Sequence, residues 1–242
     1  GGMLVDAGAT CRKLVQSLEA HGLSAEAVQG ICITHTHTDH IKGLRVFLNQ
    51  HPVPVYGTAE TLAQLRVLDK LPQNADLREI LPAETIHTDT VAVTAFATMH
   101  DSPGSCGYRF ELSDGQTCAV CTDLGCVTPE VKKGVYGADL VLLEANYDPS
   151  MLRNGPYPEM LQERIRGKYG HLSNGDSAGM AEALIAHGTT RLILGHLSET
   201  NNTMPLAQQT ALEHLQEQGM RRNQDFLLQV SSPEGLKQAV IF

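Results

Sequence analysis

The stretch Ile31-Cys32-Ile33-Thr34-His35-Thr36-His37-Thr38-Asp39-His40 concentrates the residues best able to do chemistry. An apolar run of strand character leads straight into a loop with three imidazoles and a carboxylate. Imidazole and carboxylate are ligands suited to zinc, manganese or iron. In a strand-like turn alternate residues point the same way, so His35 and His37 are expected to grip one ion. Asp39 and His40 fall on the other side, in reach of a second. Two cations on one short loop are what bimetallic hydrolysis needs. The competing reading is a surface loop with incidental histidines. That reading suits the isolated His21, His51, His87, His187 and His214, but so dense a ligand set after a buried strand is costly without a cation.

Such a loop needs a sheet to position it. Strand-like apolar runs lie at Met3–Val5, Gly30–Thr34, Val53–Tyr56, Val91–Ala97, Tyr108–Leu112, Thr117–Thr122, Leu140–Ala145, Arg191–Gly195 and Phe226–Val230. Helical patterns lie at Cys11–Ala20, Ile41–Gln50, Ala59–Leu68, Tyr157–Lys168, Gly175–Ala186 and Leu206–Gln218. Gly22, Gly188 and Gly219 stand where helix C-caps are expected. Two sheets packed together, with helices outside, would bury those strands on both faces. That is an αββα arrangement in outline, although periodicity alone reaches no further than α/β. No repeat or low-complexity linker interrupts the 242 residues, which predicts one domain over 1–242. The start Gly1-Gly2-Met3 runs at once into a strand, so a first strand is expected to be missing or trimmed.

A net charge of −9 argues against holding nucleic acid by bulk electrostatics. It does not exclude a nucleic-acid enzyme, since ligand carboxylates are counted and the cations they bind are not. No apolar run approaches the ~20 residues that span a bilayer, and no basic-then-apolar leader opens the chain. Of the six cysteines, Cys118 and Cys121 have zinc-knuckle spacing, but no second pair completes a four-ligand site. Alternating strand residues favour a structural reading. Reduced, unpaired cysteines fit a cytoplasmic setting, and no membrane partner is expected.

Thr34-His35-Thr36-His37-Thr38-Asp39-His40 resembles the HxHxDH signature of the metallo-β-lactamase superfamily. That resemblance implies a four-layer αββα sandwich. It also implies three further ligands in order, a His, an Asp and a last His, each after a later strand. Met99-His100-Asp101, Thr122-Asp123-Leu124-Gly125 and Leu194-Gly195-His196 supply them. By resemblance, His35, His37 and His100 hold one metal, Asp39, His40 and His196 hold a second, and Asp123 bridges the two. The implied cofactors are two divalent ions, zinc or manganese. Asp6, in Leu4-Val5-Asp6-Ala7-Gly8, resembles the family's early strand-end aspartate, which orients ligands from behind; a plain turn or helix cap is the other reading.

The ligand pattern does not by itself choose a substrate. Leu143-Glu144-Ala145-Asn146-Tyr147-Asp148 and Gly170-His171-Leu172-Ser173-Asn174 resemble segments of ribonuclease Z, in which a His supported by a Glu protonates the leaving oxygen. The longer run from Asn146 through Met151-Leu152, Tyr157-Pro158 and Arg164-Ile165 to Asn174 resembles the YycJ/WalJ-type branch, associated with exonuclease action on DNA ends. The implied reaction is phosphodiester hydrolysis by a metal-bridged hydroxide. His171 and Glu144 then count as catalytic, together with the ligand Asp39. A helix-cap role for the His171 segment is the alternative. Arg164 and Lys168, spaced i,i+4, are expected to share a helix face near substrate phosphates, with Ser173 and Asn174; a merely solvated face is the competing reading. DNA is thus the first expected partner. RNA, a cyclic nucleotide or a phosphoribosyl cyclic phosphate stays open as substrate. A glyoxalase-type thioesterase leaves His171 and Glu144 unexplained, and a non-catalytic regulatory module would be expected to have lost some of the seven ligands.

Overall fold

Parallel pairing organises both ends of the chain, as expected when helices carry the crossovers between strands. The computed structural model describes residues 1–232, 235, 236 and 240. They fall into two compact units, Gly1–Ala97 with Ser102–Tyr108, and Thr98–Asp101 with the described residues from Arg109 onward.

The first unit runs β1 (Gly2–Val5), α1 (Cys11–Ala20), β2 (Val28–Cys32), α2 (Thr38–Ile41), α3 (Leu44–Gln50), β3 (Val55–Gly57), α4 (Ala59–Val67), β4 (Leu77–Glu79), β5 (Thr85–His87) and β6 (Val91–Ala97). Its first four strands form a parallel sheet in chain order. Apolar residues of β2, α3, β3 and α4, including Ile31, Phe47, Leu48, Val55, Leu62 and Leu65, close the core beneath it. β5 and β6 pair antiparallel. β7 (Cys106–Leu112) begins in this unit, where the Tyr108 hydroxyl donates to the Ile33 carbonyl at 2.7 Å.

The second unit takes the end of β7, then β8 (Thr117–Cys121), α5 (Pro129–Val135), β9 (Leu140–Glu144), α6 (Pro149–Asn154), α7 (Glu159–Arg166), α8 (Asn174–Ala186), β10 (Arg191–Gly195), α9 (Met204–Glu217) and β11 (Leu227–Val230). Strands β8, β9, β10 and β11 are neighbours in that order and all parallel. Their carboxyl ends therefore open on one edge, where α/β sheets place ligands. The architecture is the expected α/β class, with helices and two sheets.

Several boundaries differ from the sequence expectation for identifiable reasons. The helix expected over Ile41–Gln50 is two, broken at Gly43, where a Cβ would lie 2.1 Å from the Ala9 carbonyl oxygen. The expected helix through Lys168 stops at Arg166, because Gly167 turns extended at ψ 164°. β4 and β5 escaped notice because three residues show no alternation. α5 and α6 are short, although Thr128-Pro129 and Asp148-Pro149 carry the N-cap and N1 signals that mark their starts.

Candidate metal centre

In the first unit the ligand loop leaves β2 and enters α2, so Asp39 and His40 sit in a helical turn rather than in the strand-like alternation expected. The result still gathers the rings. His35 lies 4.6 Å from His37 and 4.1 Å from His40 between ring centroids. His35 and His40 are buried, while Asp39 is exposed with its carboxylate 3.6 Å from His40 Nε2. Asp6 follows β1 in the left-handed region at φ 61°. Its Oδ1 accepts from Thr34 N at 2.8 Å, and its Oδ2 accepts from Thr34 Oγ1 and His40 Nδ1, both at 2.7 Å. Asp6 thus bonds the His40 ring as well as Thr34. Gly8 lets the backbone after Asp6 press on the ligand turn, for a Cβ there would fall 1.6 Å from the Asp39 carbonyl oxygen.

In the second unit, three parallel strands end on chemistry. Asp123 follows β8 at φ 57°, Glu144 is the last residue of β9, and His196 follows β10 at φ 54°. Left-handed backbone at non-glycine residues is uncommon and clusters at functional sites. Asp123 Oδ1 lies 3.4 Å from His196 Nε2, 3.6 Å from His100 Nε2 and 3.8 Å from His171 Nδ1. Asp123, Glu144, His171 and His196 each offer a donor atom within 4.8 Å of the others.

Glu144 holds this half together. Its Oε1 accepts from His171 Nδ1 and His196 Nδ1, each at 2.8 Å, and from Asp123 N at 3.3 Å. Its Oε2 accepts from Leu124 N at 3.2 Å and Leu172 N at 3.0 Å. Complete burial would raise its pKa, but the hydrogen bonds and charges of the two imidazoles outweigh that, and the net direction is down. Both oxygens of Glu144 are thus engaged by its neighbours. The sequence suggested its support of His171 but gave no hint of His196. That second contact depends on register, since Glu144 pairs with Gly195 across β9 and β10. His100 is buried, which lowers its pKa despite the nearby Asp123 carboxylate, and its Nδ1 meets the Gly170 carbonyl at 3.1 Å.

The donor set fits divalent cations. A carboxylate or carbonyl can only accept, so Nδ1 of His40, His100 and His196 carries the proton. Nε2 then keeps the lone pair that a metal takes.

The residues expected near phosphate fare differently. Arg164 Nε donates to Asp101 Oδ2 at 2.5 Å, a carboxylate that the sequence did not single out and that also lies 3.5 Å from His100 Nε2. Lys168 lies past the end of α7 with its ammonium 4.9 Å from the Tyr169 ring, so it shares no helix face with Arg164. Ser173 caps α8 in a reciprocal box with Asp176. Asn174 is buried in a two-way amide pair with Asn202, at 3.0 and 2.8 Å. Asn202 also donates to the Ala145 and Asn146 carbonyls, and Asn146 donates to the His196 carbonyl at 2.9 Å. This buried network steadies the His196 loop, and no motif announced it. Cys118 and Cys121 stand three apart on a strand, one half-buried and one buried, on opposite faces; they cannot chelate one ion together.

Comparison with known proteins agrees with this geometry. A family model described as a beta-lactamase superfamily domain matches residues 3–197. The chain is 31% identical over 234 residues to exodeoxyribonuclease YycJ of Bacillus anthracis, covering 96% of this chain and 88% of that protein. It is 31% identical over 236 residues to exodeoxyribonuclease WalJ of Streptococcus pneumoniae, covering 96% and 87%. The crystal structure of zinc-bound PqqB from Methylobacterium extorquens superposes with a TM-score of 0.69 at 19% identity, over 97% of this chain and 82% of that one, which speaks to the fold alone. This chain therefore belongs to the metallo-β-lactamase superfamily of metal-dependent hydrolases, and over nearly all of its length it is similar to the YycJ/WalJ-type branch.

Proposed function

We propose that the chain is a dinuclear metal-dependent phosphodiesterase, an exonuclease acting on DNA ends. The observation that carries this reading is one buried carboxylate, Glu144, which holds both a candidate ligand, His196, and a second imidazole, His171. The names of the two exodeoxyribonucleases, similar over 96% of the chain, support the substrate class. We take residues 1–242 as one functional domain. His35, His37 and His100 would hold one cation, Asp39, His40 and His196 the other, and Asp123 both. An all-His/Asp shell suits zinc or manganese. Bound, the cations would supply countercharge for the phosphoryl oxygens and acidify a water.

The remaining work falls to the chain's own groups. Asp6 fixes the His40 ring and Glu144 fixes the His196 ring. Glu144 also holds His171 by Nδ1, which leaves Nε2 as the atom that hands a proton to the departing oxygen. Proton transfer of this kind typically contributes about 10²–10⁴-fold. Arg164, anchored by Asp101 yet still exposed, would neutralise a phosphate beside the ligands. The six free cysteines suit a reducing, cytoplasmic setting. No helix among the described residues is long and apolar enough to cross a membrane.

The test is hydrolysis of labelled duplex DNA and of bis-p-nitrophenyl phosphate, with metal content measured on the same samples. His37→Ala and Asp123→Ala, one from each unit, are expected to lose both activities and bound metal. Wild-type rates in either variant would refute the assignment. The acidic net charge favours a small cyclic phosphate as the second reading. Faster turnover of cyclic nucleotides than of oligonucleotides would select it.

A further inference from the structure

A cavity of about 600 Å³ opens in the first unit beside the turn that carries the histidines. One wall is the start of α1, with Arg12, Val15 and Gln16; the other is Lys42 at the end of α2, with Val46 and Gln50 of α3. Arg12 and Lys42 are exposed, and neither has an ion-pair partner among the described residues. No Asp or Glu among the described residues lines the cavity. In a chain of net charge −9, Arg12 and Lys42 place two such cations beside one concavity, where they attract anions. The lining brings two cations, Arg12 and Lys42, together with the side-chain amides of Gln16 and Gln50, which suits an anionic group that also accepts hydrogen bonds.

We infer that this cavity is a binding site for the phosphate backbone of the nucleic-acid strand, away from the bond that is cut. The inference rests on the nuclease reading and extends it to a second place of contact. The chain's local geometry favours a polymer over a small anion. Lys42 stands two residues after His40, so the cavity and the ligand turn share one stretch of backbone. That stretch is locked, for Ala7 N donates to the His40 carbonyl at 2.7 Å and Gly43 N donates to the Ala7 carbonyl at 2.8 Å. An occupant of the cavity is held at a fixed offset from the histidines, and a chain of linked phosphates can engage both places at once.

The experiment measures fluorescence anisotropy of a short labelled single-stranded DNA with cleavage-resistant phosphorothioate links. It is titrated with the metal-loaded protein over a series of salt concentrations. The double variant Arg12→Ala/Lys42→Ala is expected to bind about tenfold or more weakly at ~0.1 M salt. Its slope of log affinity against log salt should fall by up to about two, one for each lost phosphate contact. Hydrolysis of bis-p-nitrophenyl phosphate should stay at the wild-type rate, and Arg12→Lys/Lys42→Arg should restore DNA binding. Unchanged affinity and slope, no binding by the unsubstituted protein, equal competition by polyglutamate, or failure of the charge-conserving variant each overturns the inference. Loss of the nuclease reading would instead appear as wild-type protein that binds DNA at this cavity yet hydrolyses no phosphodiester.

Discussion

Glu144 accepts hydrogen bonds from two ring nitrogens and three backbone amides while fully buried. A carboxylate withdrawn from water persists in ionised form only when its oxygens are so satisfied. Glu144→Gln keeps the shape but replaces one acceptor oxygen with a donor facing N–H groups. Loss of a partner that orients a ligand typically costs about 10–100-fold in metal affinity. Equilibrium dialysis should show that loss in Glu144→Gln, with phosphodiesterase rates falling at least as far; wild-type metal affinity would mean that Glu144 does not orient a ligand. Cysteine chemistry is also decided by surroundings. Burial pushes the Cys106 thiol up to about 12 and raises those of Cys32 and Cys121. At pH 8 the thiolate fraction of Cys106 is then on the order of 10⁻⁴. A disulfide reagent added to native protein should leave these three untouched and react first with the partly exposed Cys126, until denaturant releases the rest.

At the level of elements, close backbone approach decides where the ligand turn sits. Gly8 faces the Asp39 carbonyl oxygen so closely that any side chain must push the turn away. Overpacking commonly costs about 1–3 kcal/mol. Gly8→Ala should lower the urea midpoint by a corresponding amount and weaken metal binding through displaced His40, while Gly22→Ala, with open space around it, should leave metal binding alone. Elements with their own local signals were readable in advance. α1 matches its expected span because Thr10 caps its start and Gly22 follows its end at φ 73°. β6 and β10 also match, being apolar runs with clear edges. The gathering of His35, His37 and His40 was readable because the three lie within six positions of one loop. What stayed hidden depends on long-range register or packing: the Glu144 contact with His196, the Asn174 and Asn202 pair, and the Arg164 bond to Asp101. No local window of sequence contains both partners of any of these.

For the whole molecule, metal and stability are linked. Ligands that bind the folded chain and not the unfolded one stabilise it by about 2.7 kcal/mol at a hundredfold excess over Kd. The ligands proposed above come from residues as far apart in sequence as His35 and His196, so bound cations would tie distant segments of the chain to one another. Chelation should therefore lower the thermal midpoint, and restored zinc or manganese should raise it. An identical midpoint with and without chelator, on protein shown to have held metal, would contradict the ligand assignment.

The shared carboxylate of Glu144 has a bearing on how this protein can change over generations. A candidate ligand and a candidate proton donor lean on the same oxygen. Replacing either ring takes one of five donors from a dehydrated negative charge, so the surviving ring is expected to shift too. Mutational effects at His171 and His196 should then fail to sum, and the two histidines would be inherited, or lost, as a pair.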